Sequence, residues 1–175
     1  MGEHQQKVYE AFRQNYKEKL LKKIDEEMNK ARFNVLDGIL KLRQICDSPA
    51  LLNTKEYYGD DSAKADELIR YILEKTSHHK VLVFSQFVKM LTLIKNRLEK
   101  HNIVYTSLDG STRDREERVN YFQNNEECRV FLISLKAGGY GLNLTGSRLR
   151  LFNRPLVEPG RGEPGHRPHP PHRAG

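Results

Sequence analysis

The hydrophobic spacing at the start of the chain is that of two helices. Apolar residues at every fourth position, separated by charged and amide side chains, form one stripe along a helix. We therefore predict a long amphipathic helix on six such residues: Val8, Phe12, Tyr16, Leu20, Ile24 and Met28. A second helix must end before Pro49, because a residue that precedes proline disfavours helical backbone angles. Its apolar positions are Phe33, Leu36, Ile39, Leu40 and Ile45.

From Ser62 onward, short apolar runs alternate with helical spacing. The runs at 80–85 (KVLVFS) and 129–134 (RVFLIS) are typical of buried strands, and residues 104–107 (VYTS) predict a further short strand between them. Ser62 can cap the helix that precedes the first run. The helical segments have apolar faces of their own, formed by Leu68, Ile69, Ile72 and Leu73, then Met90, Leu91, Ile94 and Leu98, then Val119 and Phe122.

The alternation of strands and helices predicts an α/β fold. Consecutive strands joined by helices pair in parallel through right-handed crossovers. Ser111 with Asp114 has the spacing of a capping box and predicts the start of the last of these helices. The alternating residues 148–151 (RLRL) predict a further strand at the edge of the sheet. In such sheets the ligand site lies at the carboxyl ends of the strands.

Three loops follow the three strands and are rich in glycine, hydroxyl and amide residues. They are residues 85–87 (SQF), 108–111 (LDGS) and 135–143 (LKAGGYGLN). Glycine lets backbone N–H groups approach a ligand closely, and successive N–H groups near a helix start form a concavity for anions. The loops therefore predict an edge that contacts phosphate.

The sequence does not match other motifs that bind phosphate or metal. No GxxxxGKS or GxxxxGKT sequence occurs, and the glycines at 139 and 141 lack the third glycine of a dinucleotide fingerprint. The acidic pairs at 25–26 and 66–67 fall on predicted helices without a preceding strand. No Cys/His spacing matches a zinc site. We therefore predict no metal site and no catalytic residue in this chain.

Composition narrows the class of protein further. The 175 residues are 37% hydrophobic, with no apolar run long enough to span a membrane and no apolar leader at the start. Two cysteines are too few for a disulfide scaffold, so we expect an intracellular protein. The net charge of +7 suggests an anionic partner. However, residues 147–175 carry +4 of this charge, which leaves +3 for residues 1–146.

Four segments resemble conserved motifs of one protein family, the Swi/Snf-type ATPases of helicase superfamily two. LRQICDSPALL (42–52) resembles the helix end before the second RecA-like lobe, and KVLVFSQF (80–87) resembles motif four. LDGST (108–112) resembles the conserved loop that follows, and VFLISLKAGGYGLNLTG (130–146) resembles motif five. The resemblance covers residues 5–146.

The resemblance implies a RecA-like parallel sheet with flanking helices, the C-terminal lobe of a P-loop NTPase-type helicase, preceded by a helical hairpin protrusion. We expect the protrusion and linker at 1–52, an incomplete lobe at 62–152, and a disordered tail rich in proline, arginine and histidine at 153–175. In the family, two lobes clamp ATP between them and move along one strand of duplex DNA.

The family resemblance also implies roles for individual residues. Motifs four and five touch the DNA phosphate backbone without reading bases. The positions that carry this role here are Ser85, Gln86, Asp109, Gly110, Ser111, Ser134, Lys136, Ala137, Gly138 and Gly139. The end of motif five faces the nucleotide, which implies a cleft role for Gly141, Leu142 and Asn143. ATP and Mg²⁺ belong to the intact two-lobe enzyme, and the implied partners are double-stranded DNA and the N-terminal ATPase lobe, with no membrane.

Simpler interpretations of the same residues remain open. Ser85 and Ser134 can serve as helix caps, Lys136 can be an ordinary solvated lysine, and the glycines can form only a tight turn. The whole chain can also be a stand-alone module that binds nucleic acid or protein, or a truncated product without function. Under either alternative, the loops after the strands need not contact DNA.

The end of the chain departs from the family. Motif six, which carries an arginine finger and reads approximately DxxWNPxxExQAxDRxxRIGQ, is absent. However, residues 154–166 can be encoded so that a one-base shift reads DRWWNPAVENQA, and residues 166–175 so that it reads IDRTHRIGQ. This reading is closer to bacterial members of the family. We therefore hypothesise a frameshift near Ser147.

Sequencing the DNA of this locus tests the frameshift. We expect the codons after position 147 to spell motif six when read one base out of register, because the shifted reading has the length and position that the family requires. Codons that cannot encode the motif in any frame would refute the hypothesis.

Overall fold

The computed structural model describes residues 1–22, 28–75, 79–138 and 149–152. The helices are α1 (Glu3–Lys22), α2 (Met28–Asp47), α3 (Ala63–Lys75), α4 (Val88–Lys100), α5 (Arg115–Asn124) and α6 (Leu135–Gly138), with a 3-10 turn at Pro49–Leu51. The strands are β1 (Lys80–Ser85), β2 (Tyr105–Leu108), β3 (Val130–Ser134) and β4 (Leu149–Phe152). The predicted tail at 153–175 lies outside the described residues.

The four strands form one parallel sheet in the order β2-β3-β1-β4. This confirms the predicted α/β fold with parallel pairing. The predicted edge strand is also confirmed, because β4 pairs with β1 and with no other strand in the described part of the chain. The second strand begins and ends one residue later than its apolar run predicts.

Helices cover both faces of the sheet. Alternate residues of a strand point to opposite faces. Accordingly, Val81 and Val83 pack among buried residues of α3 and α4, whereas Leu82 packs with Phe122 of α5 on the other face. The strand β3 is buried along its whole length. This double coverage explains why the strand runs are continuously apolar rather than alternating.

The first two helices form an antiparallel hairpin. Gln5 Nε2, near the start of α1, donates to the carbonyl of Ile45, near the end of α2, at 2.7 Å. Further along, the Tyr16 hydroxyl donates to the Asp37 carboxylate at 2.5 Å. The Tyr16 ring lies so close to Gly38 that a Cβ there would be 2.8 Å from a ring carbon. Glycine is therefore needed at this helix crossing.

The prediction of a single helix up to Met28 is wrong. The helix α1 ends at Lys22, and Met28 is the first residue of α2. Four-residue spacing describes one helix face locally, but it does not indicate where the chain reverses. The reversal allows Val8 of α1 to pack against Ile45 and Leu52.

The second helix leaves much of its apolar surface uncovered. It ends at Asp47, before Pro49 as predicted. Ile45 is fully buried, but four other apolar side chains are 45–76% exposed: Phe33, Leu36, Ile39 and Leu40.

Hydrogen bonds join the hairpin to the lobe at the end of α2. The buried Ser62 hydroxyl accepts from the Ala65 N–H at 3.1 Å, which confirms Ser62 as the cap of α3, and it donates to the Asp47 carbonyl at 2.5 Å. Lys64 Nζ pairs with the Asp47 carboxylate at 2.6 Å. One residue at the end of the hairpin is thus held by two residues at the start of the lobe.

Candidate functional site

The strand register brings the three loops to one edge of the sheet. Ser85, the last residue of β1, pairs with Ser134, the last residue of β3. Leu108, the last residue of β2, pairs with Ile133, one position before the end of β3. The chain therefore leaves all three strands at the same edge, as the sequence predicts. We call this edge, with the loops at 85–87, 108–112 and 134–138, the carboxyl edge.

The first loop is a turn closed by Ser85. The Ser85 hydroxyl accepts from the Phe87 N–H and donates to the Phe87 carbonyl, both at 3.1 Å. This turn leads directly into α4, which begins at Val88. The side chain of Gln86 is exposed, and its Oε1 accepts from Arg43 Nη2 at 2.6 Å.

The second loop is organised by the Asp109 carboxylate. It accepts from the Ser111 N–H at 2.9 Å and from the Ser111 hydroxyl at 2.6 Å. These hydrogen bonds hold the pKa of Asp109 below its usual range, with Lys95 adding a smaller electrostatic contribution. Asp109 is thus a fixed anion that shapes the loop, and its own charge disfavours direct contact with phosphate.

The predicted capping box at Ser111 and Asp114 is wrong. The helix α5 begins at Arg115, and the Asp114 side chain makes no capping hydrogen bond. Ser111 bonds to Asp109 instead, because an aspartate two residues earlier can accept from its N–H in an Asx turn. The predicted helix itself is confirmed, with Phe122 fully buried.

The third loop carries one exposed lysine between two buried residues. The Ser134 hydroxyl, in a residue that is only 2% exposed, accepts from the Ala137 N–H at 3.2 Å and so caps α6. The Ala137 side chain is buried, and its carbonyl accepts from Arg115 Nη2. Between them, Lys136 is exposed and forms no ion pair with any described residue. The lysine is therefore available to an external anion.

The two described glycines of the predicted site differ in their surroundings. A Cβ on Gly110 would meet nothing within 4 Å. A Cβ on Gly138 would lie 2.9 Å from Ile133 Cγ2 and 3.2 Å from the Phe84 ring. Gly138 is thus required by close packing of α6 on the sheet, whereas Gly110 leaves an open surface.

Some predicted site residues cannot be placed. Gly139, Gly141, Leu142 and Asn143 lie outside the described residues, so the nucleotide-cleft assignment stays a prediction. The described predicted residues all lie in the three loops of the carboxyl edge.

Sequence reasoning missed two arginines at this edge. Arg43 lies within the LRQICDSPALL segment but was assigned no role, although it contacts Gln86. Arg115 follows the second loop and bonds to the third. In the sequence, each arginine shows only that a positive charge lies in or next to a motif segment. This does not indicate which distant residue the arginine contacts.

The described residues contain no group of three or more His, Cys, Asp or Glu side chains placed to bind a metal. Burial raises the pKa of the thiols of Cys46 and Cys128, which keeps both protonated at neutral pH. Neither cysteine is therefore an activated nucleophile. Within the described ranges, no helix is both long enough and apolar enough to cross a membrane.

Comparison with known proteins identifies the fold. The family model of the helicase conserved C-terminal domain matches residues 63–154. The solved C-terminal domain of the Sulfolobus solfataricus SWI2/SNF2 ATPase is 33% identical, with a TM-score of 0.63 over 88% of this chain and 70% of that one. The chain belongs to the Swi/Snf-type helicase C-terminal family.

The chain is also similar to parts of much longer proteins. It is 33% identical over 147 residues to an uncharacterized ATP-dependent helicase of Mycoplasma pneumoniae, and the match covers 82% of this chain and 14% of that protein. It is 42% identical over 92 residues to the chromatin-remodeling ATPase INO80 of Aspergillus oryzae, covering 51% of this chain and 6% of that protein. The chain thus spans only a small part of these relatives.

A second solved structure contains a nucleic acid. The Sulfolobus solfataricus SWI2/SNF2 ATPase core in complex with double-stranded DNA is 31% identical, with a TM-score of 0.69. The match covers 88% of this chain and 33% of that chain.

The glycine geometry generates a prediction about stability. Gly138→Ala should lower the free energy of unfolding by about 1–3 kcal/mol, because the new methyl group overpacks the contact with Ile133. Gly110→Ala is the matched control and should change it by less than about 0.5 kcal/mol. Urea denaturation followed by circular dichroism measures both. Equal effects of the two substitutions would contradict the packing role of Gly138.

Proposed function

We propose that this chain is the second lobe of an ATP-dependent double-stranded DNA translocase, and that its carboxyl edge holds the DNA phosphate backbone. The observation that carries this proposal is the convergence of three loops on one edge, among them an exposed Lys136 that pairs with no carboxylate of the described residues. The solved relative in complex with double-stranded DNA supports it.

The proposed mode of binding follows from how the loop side chains are used. The hydroxyls of Ser85 and Ser134 and the carboxylate of Asp109 are engaged within the loops, where they fix the backbone. We propose that these residues act indirectly, by presenting backbone N–H groups and Lys136 in a rigid arrangement. Such contacts position a duplex without reading its bases, and they release counterions, so the affinity falls steeply with salt.

We propose that ATP and Mg²⁺ act only in the intact two-lobe enzyme. The described residues provide no phosphate-binding P-loop and no carboxylate cluster for Mg²⁺, so they do not form a nucleotide site alone. Relatives named as ATP-dependent helicases support a role in the parent enzyme. In this proposal, residues 1–52 form the protrusion, residues 62–152 form the lobe, and the N-terminal ATPase lobe is its partner.

The proposal predicts that the 175-residue chain hydrolyses no ATP alone. The triphosphate and the attacking water are positioned by groups that its sequence lacks. Phosphate release should therefore stay at the buffer background with and without duplex DNA, in an assay that includes an intact two-lobe relative as positive control. Turnover that rises on addition of DNA would contradict the prediction.

A lysine substitution tests the DNA interface. Lys136→Ala should weaken binding to a 30-base-pair duplex of any sequence and lower the slope of log affinity against log salt by about one, because one phosphate contact is lost. Fluorescence anisotropy between low and moderate salt measures both quantities.

The matched control is Lys100→Ala, which removes an exposed lysine at the carboxyl end of α4. It should leave the salt slope unchanged, because α4 begins at the carboxyl edge and Lys100 lies thirteen residues along it. If the two substitutions have the same effect, DNA does not bind at this edge.

A further inference from the structure

A basic side chain of the helical hairpin reaches the carboxyl edge. Arg43 lies four residues before the end of α2, and its guanidinium donates to Oε1 of Gln86 at 2.6 Å. Gln86 is the first residue after β1. The contact therefore places one cation of the hairpin directly beside the first loop of the proposed DNA interface, across 43 residues of sequence.

The hydrogen-bonding groups that Arg43 and Gln86 leave unused are mostly N–H donors. A guanidinium has five N–H donors and no acceptor, and Gln86 accepts from only one of its nitrogens. With its oxygen directed at Arg43, the Gln86 amide has its two N–H donors free to point elsewhere. Both side chains are exposed, and Arg43 has no ion pair with a described carboxylate.

This combination differs from the other arginines on the helices nearby. Arg70 is paired with Glu67 and Glu74, and Arg97 is paired with Asp66. Among the described residues, the guanidinium of Arg43 contacts the neutral amide of Gln86, and no described carboxylate balances its charge. A guanidinium binds a phosphate group through two parallel N–H donors. The amide N–H donors of Gln86, beside the guanidinium of Arg43, are complementary to the same phosphate.

We infer that Arg43 and Gln86 together bind one phosphate of the DNA backbone, so that the hairpin contributes directly to the DNA interface. This inference rests on the proposed function, which places duplex DNA at the carboxyl edge. It adds a residue from outside the lobe, and it gives Gln86 a defined role, which is to orient the guanidinium and to donate a second hydrogen bond to the same phosphate.

Substitution of Arg43 in the full chain tests the inference. Arg43→Ala should weaken binding to a 30-base-pair duplex about tenfold at low salt and lower the salt slope by about one, because one charge-assisted phosphate contact is lost. Arg43→Lys keeps the charge, so the salt slope should be retained, but affinity should fall because a lysine cannot bind in bidentate fashion. Since Arg43 is exposed, circular dichroism should show that both variants fold.

Two further variants separate a phosphate contact from a general charge effect. Arg70→Ala removes an equal charge that is already paired, and it should leave the salt slope unchanged. Gln86→Ala should weaken binding on its own, and in the Arg43→Ala background its effect should shrink, because both side chains serve the same phosphate. Additive effects of the two substitutions would overturn the joint role.

The source of the phosphate is tested by competition at constant ionic strength. Unlabelled duplex should displace the labelled duplex from the wild type, whereas inorganic phosphate or ATP at millimolar concentration should displace little. If inorganic phosphate or ATP at this concentration displaces the duplex from the wild type but not from Arg43→Ala, the pair binds a free anion and the DNA assignment is wrong.

The outcomes also distinguish the inference from the proposed function. If Lys136→Ala weakens binding but Arg43→Ala matches the wild type in affinity and salt slope, the inference fails and the proposed function stands. If the wild type binds no duplex at low salt, the proposed function fails and this inference fails with it.

Discussion

The parallel register between β1 and β3 is the constraint on which the other features depend. It sets Ser85 beside Ser134, and so it fixes where the first and third loops leave the sheet. A shift of the register by one residue would turn every side chain of the strand to the opposite face. Val81 and Val83 would then leave the cluster beneath α3 and α4. Burial of both faces of the strands therefore also determines the geometry of the carboxyl edge.

The carboxyl edge is built from two kinds of residues. Short polar side chains are engaged within the loops: Ser85 closes a turn, Asp109 holds Ser111, and Ser134 caps α6. Long basic side chains are exposed beside them: Lys136 extends from the third loop, and Arg43 reaches the first loop from α2. In the proposed DNA interface, the short polar residues therefore act by holding the loop backbone and not by touching the ligand.

The sequence is informative where the chemistry is local and less so where it depends on distant contacts. The continuous apolar runs predicted three parallel strands, and the alternating residues near 150 predicted the fourth. The Ser62 cap was also predictable, since its partner is three residues away. In contrast, the point where α1 ends could not be inferred, because the same spacing continues into α2.

The candidate site shows the same limit. The glycines at 110 and 138 look alike in the sequence, and only the neighbouring Ile133 and Phe84 distinguish their roles. Ser111 could form a capping box with Asp114 or bond to Asp109, and in the structure its hydroxyl donates to Asp109. The contact between Arg43 and Gln86 joins residues of two different elements, and no local pattern predicts it.

The attachment of the hairpin at the end of α2 has a mechanical consequence. Asp47 is tied to Ser62 and Lys64, whereas the 20 residues of α1 extend away from this anchor by about 30 Å. A rotation of the lobe by about 10° would carry Lys22, at the far end of a rigid α1, by about 5 Å. Small angular movements of the sheet would thus give displacements close to one helical turn at that end of the helix.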